Sequence, residues 1–431
     1  MTPAARIAAA IEVLGTLETH RRPAADALKD WGLTHRFAGS KDRAALAALV
    51  FDALRTKASS SATMHDDSAR GMVLGMLRGR RGLDADALSA LFSGEGHAPA
   101  VLTPEEAAHL AAPLQDEFAP HIAGDYPAWL EPHMVRAFGD NRASEGRFLA
   151  ERAPLDLRVN TLKAKRDRQL AALSHLGAHE TPFSPWGLRI AIGEDGRAPA
   201  LAGEPAFAKG LVEVQDEGSQ LAALVSGARE GMQVLDFCAG GGGKTLALAG
   251  MMGNKGQIYA TDSDGRRLMP IYQRLERAGA RNVQVRAPKG GAAGLDDLAG
   301  NCDVVMVDAP CTGSGTWRRN PDAKWRMRPG ALEQRQKDQN ETLAAARGFV
   351  KAGGLLLYVT CSLFAEENED RIAHFLADAP DFAAESVEVL TARAETPALA
   401  AHASTLGPGL RLSPRATQTD GFYICGLRRV S

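Results

Sequence analysis

Two cysteines stand where a thiol can take part in chemistry. Cys311 follows the apolar run CDVVMVDAP and Cys361 follows GLLLYVT, so both come directly after predicted buried strands. Because the carboxyl ends of parallel strands meet at one edge of a sheet, where ligands bind, we expect both thiols at one site. Cys302 and Cys425 lie within strand patterns and are predicted to be inert core residues, the usual role of a single buried cysteine.

A pair of thiols suits the methylation of a pyrimidine at carbon 5. That carbon is a poor nucleophile, but a thiolate that adds to carbon 6 makes the ring enamine-like, and carbon 5 can then attack a methyl group. A base removes the carbon-5 proton and the thiol leaves, so one hard step becomes easier ones. Asp308, shortly before Cys311, is the predicted acid that hydrogen-bonds the cytosine and holds charge. A methylase of exocyclic amines needs no thiol.

A glycine-rich loop, VLDFCAGGGGKT, joins another predicted strand to a helix. Its glycines allow close approach of a ligand, and the helix N-terminus favours negative charge. A P-loop for nucleoside triphosphates requires glycine where Cys238 stands, and a dinucleotide fingerprint requires glycine where Thr245 stands. S-adenosylmethionine (AdoMet) requires the close turn and a carboxylate after the next strand, which Asp262 in GQIYATD supplies.

The loop is therefore predicted to bind AdoMet. Two alternatives stay open, a tight glycine turn without a ligand and Asp262 as a helix-starting residue with Asp264. The predicted cofactor residues are Cys238, Ala239, Gly240, Gly241, Gly242, Gly243, Lys244, Asp262 and Asp308.

The segment TGSGTWRRNPDAKWRMR, after Cys311, combines basic side chains with aromatic rings. Basic groups bind phosphates and aromatic rings stack on unpaired bases, so we predict that this segment binds RNA; the alternative is a solvated basic loop. The rings are Trp317 and Trp325, and the basic residues are Arg318, Arg319, Lys324, Arg326 and Arg328.

Helices and strands follow one another in a pattern that predicts three domains. Apolar stripes such as Ile7, Ile11 and Leu14 predict an all-helical region over residues 1–145. A half-buried strand from Leu155, a helix and a strand predict a small α/β unit over 146–210. Over 211–431 the strands LVEV, QVLDFCA, GQIYATD, NVQVRA, CDVVMVDAP and GLLLYVTC alternate with helices, which predicts a parallel sheet covered on both faces.

Composition narrows the class of protein. The chain has 431 residues, 45% hydrophobic and 24% charged, with a net charge of -2, so any nucleic-acid surface must be local. Its five cysteines include no C-x-x-C pair, and the histidines form no metal-binding motif, so we predict no metal. No apolar run approaches a membrane span and no signal-peptide core is present. We expect a cytoplasmic, monomeric protein with reduced thiols.

These motifs together resemble the Sun (also called Fmu or RsmB) family of RNA 5-methylcytosine methyltransferases. The matching pieces span roughly residues 154–370 and are RVNTLK, VQDEGSQLAA, VLDFCAGGGGKT, YATD, VDAPCTGSGTWRRNPDAKWR and LLLYVTCSLFAEENE. The pairing of DAPCTGSG with TCS is specific, because DNA cytosine methylases rely on the Pro-Cys thiol alone.

The resemblance implies roles that position alone leaves open. The cysteine of the TCS motif, here Cys361, is the family's nucleophile, and the Pro-Cys thiol, here Cys311, assists release of the product. It also implies that Asp262 contacts the ribose of AdoMet and that Asp308 lies at the active site. In RVNTLK, the predicted RNA contacts are Arg158, Asn160 and Lys163.

The sequence departs from the family pattern at two places. The loop commonly reads C-A-A-P-G-G-K, whereas Gly240 and Gly241 stand here, so a looser turn is expected. The family tends to have an acid after the next strand for the adenine, whereas NVQVRAPKGG offers Arg286 and Ala287, so no residue is predicted for that contact.

The N-terminal part resembles, more weakly, the NusB-like helical RNA-binding domain of the bacterial 16S ribosomal RNA member, chiefly in GSKDRAALAALVFDALR. The implied fold is a Rossmann-like AdoMet-dependent methyltransferase domain with a small α/β subdomain and an all-helical NusB-like domain. The implied substrate is a cytosine in small-subunit ribosomal RNA, with transfer RNA as an alternative. A non-catalytic RNA-binding ribosome-assembly factor and a P-loop NTPase are the competing functions.

Overall fold

The computed structural model describes residues 1–20, 22–114, 117–193, 199–287 and 294–430. The chain divides into two compact units. Unit 1 contains Met1–Ala153 and Trp317–Arg328, together with a short segment that begins at Ile192. Unit 2 contains Pro154–Ala191, Pro199–Thr316 and Pro329–Ser431.

Unit 1 is helical, as the apolar stripes predict. Ile7 and Leu14 of the first stripe are buried in its core, with Ile11 packed against them. With labels in chain order for the whole protein, the described helices of this unit are α1 (Pro3–His20), α2 (Ala24–Thr34), α3 (Ser40–Arg55), α4 (Lys57–Met64), α5 (Ala69–Gly79), α6 (Ala85–Leu91), α7 (Pro104–Ala111), α8 (Pro120–Ala123), α9 (Glu131–Phe138), α10 (Arg142–Ala150) and α16 (Pro321–Arg326).

A small antiparallel sheet in unit 2 has the order β2-β3-β1-β4. Its elements are β1 (Leu155–Val159), α11 (Arg166–Ala172), β2 (His179–Glu180), β3 (Gly187–Ile190), α12 (Pro205–Ala208) and β4 (Val212–Val214). β4, the LVEV strand that we placed in the third domain, instead pairs with β1. The half-buried pattern predicted for β1 is wrong, because Asp156 and Arg158 are buried too.

The larger sheet of unit 2 has the order β10-β12-β9-β8-β5-β6-β7, with β11 paired to β12. Strands β7, β6, β5, β8 and β9 are parallel neighbours, and β12 runs antiparallel to β9. The strands are β5 (Gln233–Asp236), β6 (Gln257–Ala260), β7 (Val283–Val285), β8 (Cys302–Asp308), β9 (Val350–Thr360), β10 (Phe382–Ala384), β11 (Leu410–Leu412) and β12 (Phe422–Arg429).

Helices pack on both faces of this sheet, which explains why its central strands contain continuous apolar runs such as VVMV in β8. Val304 and Met306 of β8 belong to one core, whereas Val305 and Val307 belong to another. The helices are α13 (Glu217–Leu224), α14 (Gly243–Met251), α15 (Gly265–Ala278), α17 (Pro329–Ala346), α18 (Glu369–Asp378), α19 (Val387–Arg393) and α20 (Pro414–Thr417). The predicted Rossmann-like architecture is confirmed. Among the described residues, no helix combines the length and apolar character that a bilayer crossing requires.

Candidate active site

The glycine loop turns sharply between β5 and α14. Gly242, immediately before α14, has a φ of 80°, and a Cβ placed there would collide with Ile271. Gly240 also lies in the left-handed region, with a φ of 49°. Glycine adopts such angles without steric cost. The predicted close turn is therefore present, and Cys238 and Ala239 lead into it from β5.

Asp262 holds this loop from beyond the end of β6. Its carboxylate accepts hydrogen bonds from the backbone N–H of Gly240 and of Asp264, both at 3.0 Å. Arg267 lies 3.3 Å from the same carboxylate. Asp264 rather than Asp262 caps α15, because the Asp264 side chain accepts the N–H of Arg266. Asp262 therefore shapes the loop instead of starting the helix.

Asp236, at the end of β5, is a buried acid beneath the loop. One carboxylate oxygen accepts a hydrogen bond from Thr245 Oγ1 at 2.7 Å. The other, Oδ1, is buried and has no hydrogen-bond partner among the described residues. Burial raises the pKa of Asp236 to about 7. An acceptor without a partner at this place can accept a hydrogen bond from a ligand.

Lys244, in the first turn of α14, pairs with Asp308 at the end of β8, with 2.7 Å between Nζ and Oδ2. Burial lowers the pKa of Lys244, but the charge and hydrogen bond of Asp308 and the charge of Cys361 outweigh burial, so the net pKa is raised. Lys244 therefore keeps its proton beside Asp308. A lysine already neutralised by a carboxylate does not favour a triphosphate.

The two predicted thiols meet at the carboxyl edge of the sheet. β8 and β9 are parallel neighbours, with Asp308 opposite Val359, so the loops that follow them lie side by side. Cys311 Sγ and Cys361 Sγ are 3.4 Å apart. The hydrogen bond to Cys361, together with burial, raises the pKa of Cys311 well above its ordinary value. Cys311 therefore keeps its proton, and a hydrogen bond joins the two sulfur atoms.

A carboxylate that we did not predict joins the two thiol loops. Glu367 accepts hydrogen bonds from the Thr312 N–H at 2.8 Å and from Thr312 Oγ1 at 2.5 Å, next to Cys311. It also accepts one from Ser362 Oγ, next to Cys361. Gln339 Nε2 donates to it at 3.0 Å. Glu367 is fully buried, and burial raises its pKa.

Asn368 completes this support. Its side-chain oxygen accepts a hydrogen bond from Thr360 Oγ1 at 2.5 Å, and its Nδ2 donates to the Ser362 carbonyl at 3.0 Å. Both contacts flank Cys361. The signal for Glu367 and Asn368 lay in the LFAEENE piece, where acids and an amide follow the second thiol at the end of a buried strand.

Comparison with known proteins identifies the family. Residues 223–428 match the family described as 16S rRNA methyltransferase RsmB/F, and residues 126–194 match an RsmF/B-like ferredoxin-like domain. A probable ribosomal RNA small subunit methyltransferase B from Synechocystis sp. is 32% identical over 307 residues, which cover 70% of this chain and 67% of the relative. The ribosomal RNA small subunit methyltransferase B of Klebsiella pneumoniae is 34% identical, covering 73% and 68% respectively.

The chain belongs to the RsmB/F family of 16S rRNA methyltransferases. The crystal structure of a methyltransferase homolog protein from Pyrococcus horikoshii is similar with a TM-score of 0.59 and 26% identity, covering 72% of this chain and 97% of the other. The predicted fold class and the predicted cofactor, AdoMet, are both those of this AdoMet-dependent family.

The residues of this RsmB/F chain fit AdoMet. The Asp236 oxygen without a described partner, the glycine turn and the Asp262 carboxylate offer acceptors and close backbone at the ends of the neighbouring strands β5 and β6. Arg286, where the family tends to have an acid, pairs with Asp297 at 2.7 Å. The continuation of that segment, residues 288–293, lies outside the described residues, and the adenine contact stays unassigned.

Of the three RNA contacts predicted in RVNTLK, Arg158 and Asn160 have structural roles instead, and the contact by Lys163 stays a prediction. Arg158 is buried and donates from Nε to Gln215 at 2.6 Å. Asn160, also buried, donates to the carbonyls of Gly210 and Ala278 at 2.8 Å each. Lys163 is exposed but donates to the Arg277 carbonyl at 2.6 Å. The prediction is corrected for Arg158 and Asn160, because their polar groups serve the fold.

The basic segment is also more buried than its composition suggests. Trp317, Arg318 and Lys324 are buried, and Lys324 Nζ donates to the Arg55 carbonyl at 3.0 Å. Trp325 packs against the core of unit 1 and donates to the Leu54 carbonyl at 2.7 Å.

The segment Trp317–Arg328 is thus packed into the helical unit 1. A buried Lys324 cannot reach a phosphate, and rings packed in a core cannot stack on bases. Arg318 is corrected for the same reason as Lys324, since it too is buried. Arg319 and Arg326 are partly exposed, and Arg326 pairs with Asp322 at 2.9 Å, so RNA contacts by these two residues stay predictions.

Proposed function

We propose that this protein transfers a methyl group from AdoMet to carbon 5 of a cytosine in RNA, with 16S ribosomal RNA as the substrate. The observation that carries the proposal is the pair of thiols, 3.4 Å apart at the ends of adjacent parallel strands. Methylation of RNA does not in general require a thiol, whereas carbon-5 methylation does. The Lys244–Asp308 pair beside Cys361 supports the same chemistry.

The loop from Cys238 to Lys244 would hold AdoMet together with Asp262 and the orphaned oxygen of Asp236. When bound, AdoMet supplies the methyl group that carbon 5 attacks. The chain's own residues orient the base and manage the protons.

Cys361 is the proposed nucleophile, and its sulfur forms a bond to carbon 6 of the cytosine. Asp308 hydrogen-bonds the edge of the cytosine and holds charge while the bond forms. After methylation the carbon-5 proton leaves and the carbon-6–sulfur bond breaks, a step that Cys311 assists.

Three domains, over residues 1–145, 146–210 and 211–431, remain our proposal for how these functions are divided, except that β4 (Val212–Val214) belongs to the second. The first two contribute RNA binding, and the third carries the cofactor and both thiols. Residues Trp317–Arg328 lie within the third range in sequence, but in the structure they belong to unit 1 with the first domain.

The experiment is methyl transfer from labelled AdoMet to unmodified 16S ribosomal RNA, with transfer RNA as a parallel substrate and nucleoside analysis of the product. We expect label in 5-methylcytidine from ribosomal RNA and none with Cys361→Ala. Label in another nucleoside would overturn the carbon-5 assignment. No transfer to either RNA would favour a non-catalytic assembly factor, and ATP turnover would favour the P-loop alternative.

A further inference from the structure

A large cavity in unit 1 is lined by basic side chains that the proposed reaction does not use. Its volume is about 1180 Å³, and all its lining residues belong to that unit. The basic members are Arg80, Arg81, Arg147 and Arg152.

One buried carboxylate, Asp52, lies among several guanidinium groups at this cavity. Arg152 and Arg81 each bring an Nη2 atom within 2.8 Å of it. Arg80 Nε lies 3.6 Å away and Arg55 Nε 4.0 Å away. Asp52 is 3% exposed, so it cannot reach other cations or much water.

The positive charge exceeds what the carboxylates neutralise. Glu151 pairs with Arg80 at 3.0 Å. The Asp125 carboxylate accepts hydrogen bonds from the backbone N–H and the hydroxyl of Ser59. Four arginines (Arg80, Arg81, Arg147 and Arg152) therefore line the cavity with three carboxylates, and the buried Arg55 lies 4.0 Å from one of these carboxylates, Asp52.

Two of these arginines have unused donors. The Nε of Arg55 is buried and has no hydrogen-bond partner among the described residues. Arg147 is exposed and makes no ion pair or hydrogen bond with the part of the chain that the structure describes. Burial, with Arg80 and Arg152 nearby, lowers the pKa of Arg55 to about 10. A bound anion would relieve this crowding of cations.

We infer that this cavity binds phosphate groups of the RNA backbone. Guanidinium groups bind phosphate bidentately, which suits a cluster of arginines better than isolated charges. The volume exceeds what one phosphate ion fills, so several nucleotides of a chain fit. Phe118 is the one aromatic residue of the lining, so among the described residues the site offers far more groups to the backbone than to the bases. The inference rests on the proposed function in one respect, that RNA is the substrate.

The test measures binding of a 16S ribosomal RNA fragment to the full chain at several salt concentrations. Arg147→Gln and the double variant Arg81→Gln/Arg152→Gln should each weaken binding, by about tenfold for the double variant, and should reduce its salt dependence. Asp52→Asn should strengthen binding, because it removes the carboxylate that competes with phosphate.

Arg22→Gln is the matched control. The Arg22 side chain is 35% exposed and pairs with Asp30, as the 34% exposed Arg81 pairs with Asp52. We expect the control to bind RNA like the unmodified protein. All variants should keep their helical circular dichroism and AdoMet affinity; Arg147→Gln removes no described contact and so carries the test if another variant misfolds.

The outcomes separate this inference from the proposed function. If the unmodified protein neither binds nor methylates RNA, the proposed function fails. If it methylates RNA but the arginine variants bind as tightly as Arg22→Gln, the cavity inference is wrong. Inorganic phosphate that binds the cavity without competing with RNA would assign the site to free phosphate and overturn the inference as well.

Discussion

Two buried carboxylates organise the two units in different ways. In unit 2, Glu367 accepts hydrogen bonds from neutral donors, the side chains of Thr312, Ser362 and Gln339 and the Thr312 backbone. In unit 1, Asp52 accepts its contacts from guanidinium groups alone, with Arg81 and Arg152 nearest. Both carboxylates are at most 3% exposed.

The difference teaches what each carboxylate can do. Neutral donors fixed in two loops give Glu367 a complete shell, so it holds the backbone on either side of the thiols without adding charge to bind a ligand. An excess of guanidinium groups leaves the surroundings of Asp52 positive, so further anions are attracted. A satisfied polar network rigidifies a site, whereas an unbalanced one has capacity for a partner.

The largest expected effect is on stability, from removal of the Asp52 charge. Asp52→Asn leaves several guanidinium groups without their anion, and breaking a largely buried ion pair costs about 3 kcal/mol or more. Denaturant unfolding measures the loss. Asp30→Asn is the control, because Asp30 is 53% exposed on its side chain and its pair with Arg22 contributes little. Equal stability of the two variants would show that Asp52 is not an organising charge.

Glu367→Gln should slow methyl transfer by about 100-fold, since small misplacement of reacting groups has effects of that order. The amide keeps the shape of the carboxylate but presents donors to Thr312 and Ser362, which disturbs both thiol loops. We expect kcat to fall with the KM for AdoMet unchanged.

The matched control for this effect is Glu369→Gln. Glu369 is also buried, but its carboxylate pairs with Arg411 rather than with Thr312 or Ser362, so this variant should lose stability but keep kcat. Equal kcat losses in both variants would mean that Glu367 acts only through stability.

Asp236 extends the comparison, because one of its oxygens has no hydrogen-bond partner among the described residues. Its pKa rises from 3.8 to about 7 on folding, so the folded state binds the proton more tightly than the unfolded state. The protonated Asp236 therefore contributes fully to the free energy of unfolding below pH 4. This contribution is lost as pH rises towards 7, by roughly 1.4 kcal/mol per pH unit at most. Asp236→Asn should lack this slope when unfolding is measured from pH 4.5 to 7.5. Parallel profiles of the two proteins would contradict a raised pKa.

The smallest effect tests the corrected role of the basic segment. Trp325→Phe keeps an aromatic ring in the core of unit 1 but loses the hydrogen bond to Leu54, which costs about 1 kcal/mol. RNA affinity should not change. A loss of RNA affinity at unchanged stability would restore the stacking role that we predicted from the sequence.

The site was more predictable than the RNA surface for a physical reason. Cys311 and Cys361 each follow a strand, and the parallel pairing of β8 and β9 alone brings them together. The same topology places Asp262 near the glycine loop. Strand order therefore converts local motifs into a site without any knowledge of side-chain packing.

Charge composition, in contrast, does not show which basic side chains are exposed in the fold. Arg158 and Lys324 have the residue types of a phosphate-binding surface, yet tertiary packing buries both. Likewise, Asp52 and Arg152 are far apart in sequence, so their pairing depends on how helices pack. Glu367 lay within a recognised motif, but only the folded loops show that it contacts both thiol segments.

A deletion of residues 1–140 would remove the partners of Trp325, so single substitutions test RNA binding more cleanly.

The central claim is that Cys361 attacks the cytosine and Cys311 assists its release. The most direct measurement incubates Cys311→Ala and Cys361→Ala with AdoMet and the RNA substrate and resolves the products on a denaturing gel. We predict a slowly migrating protein–RNA adduct with Cys311→Ala, because attack occurs and elimination is slow, and neither adduct nor methylation with Cys361→Ala. An adduct with Cys361→Ala alone would reverse the two roles, and full activity of both variants without any adduct would contradict covalent catalysis.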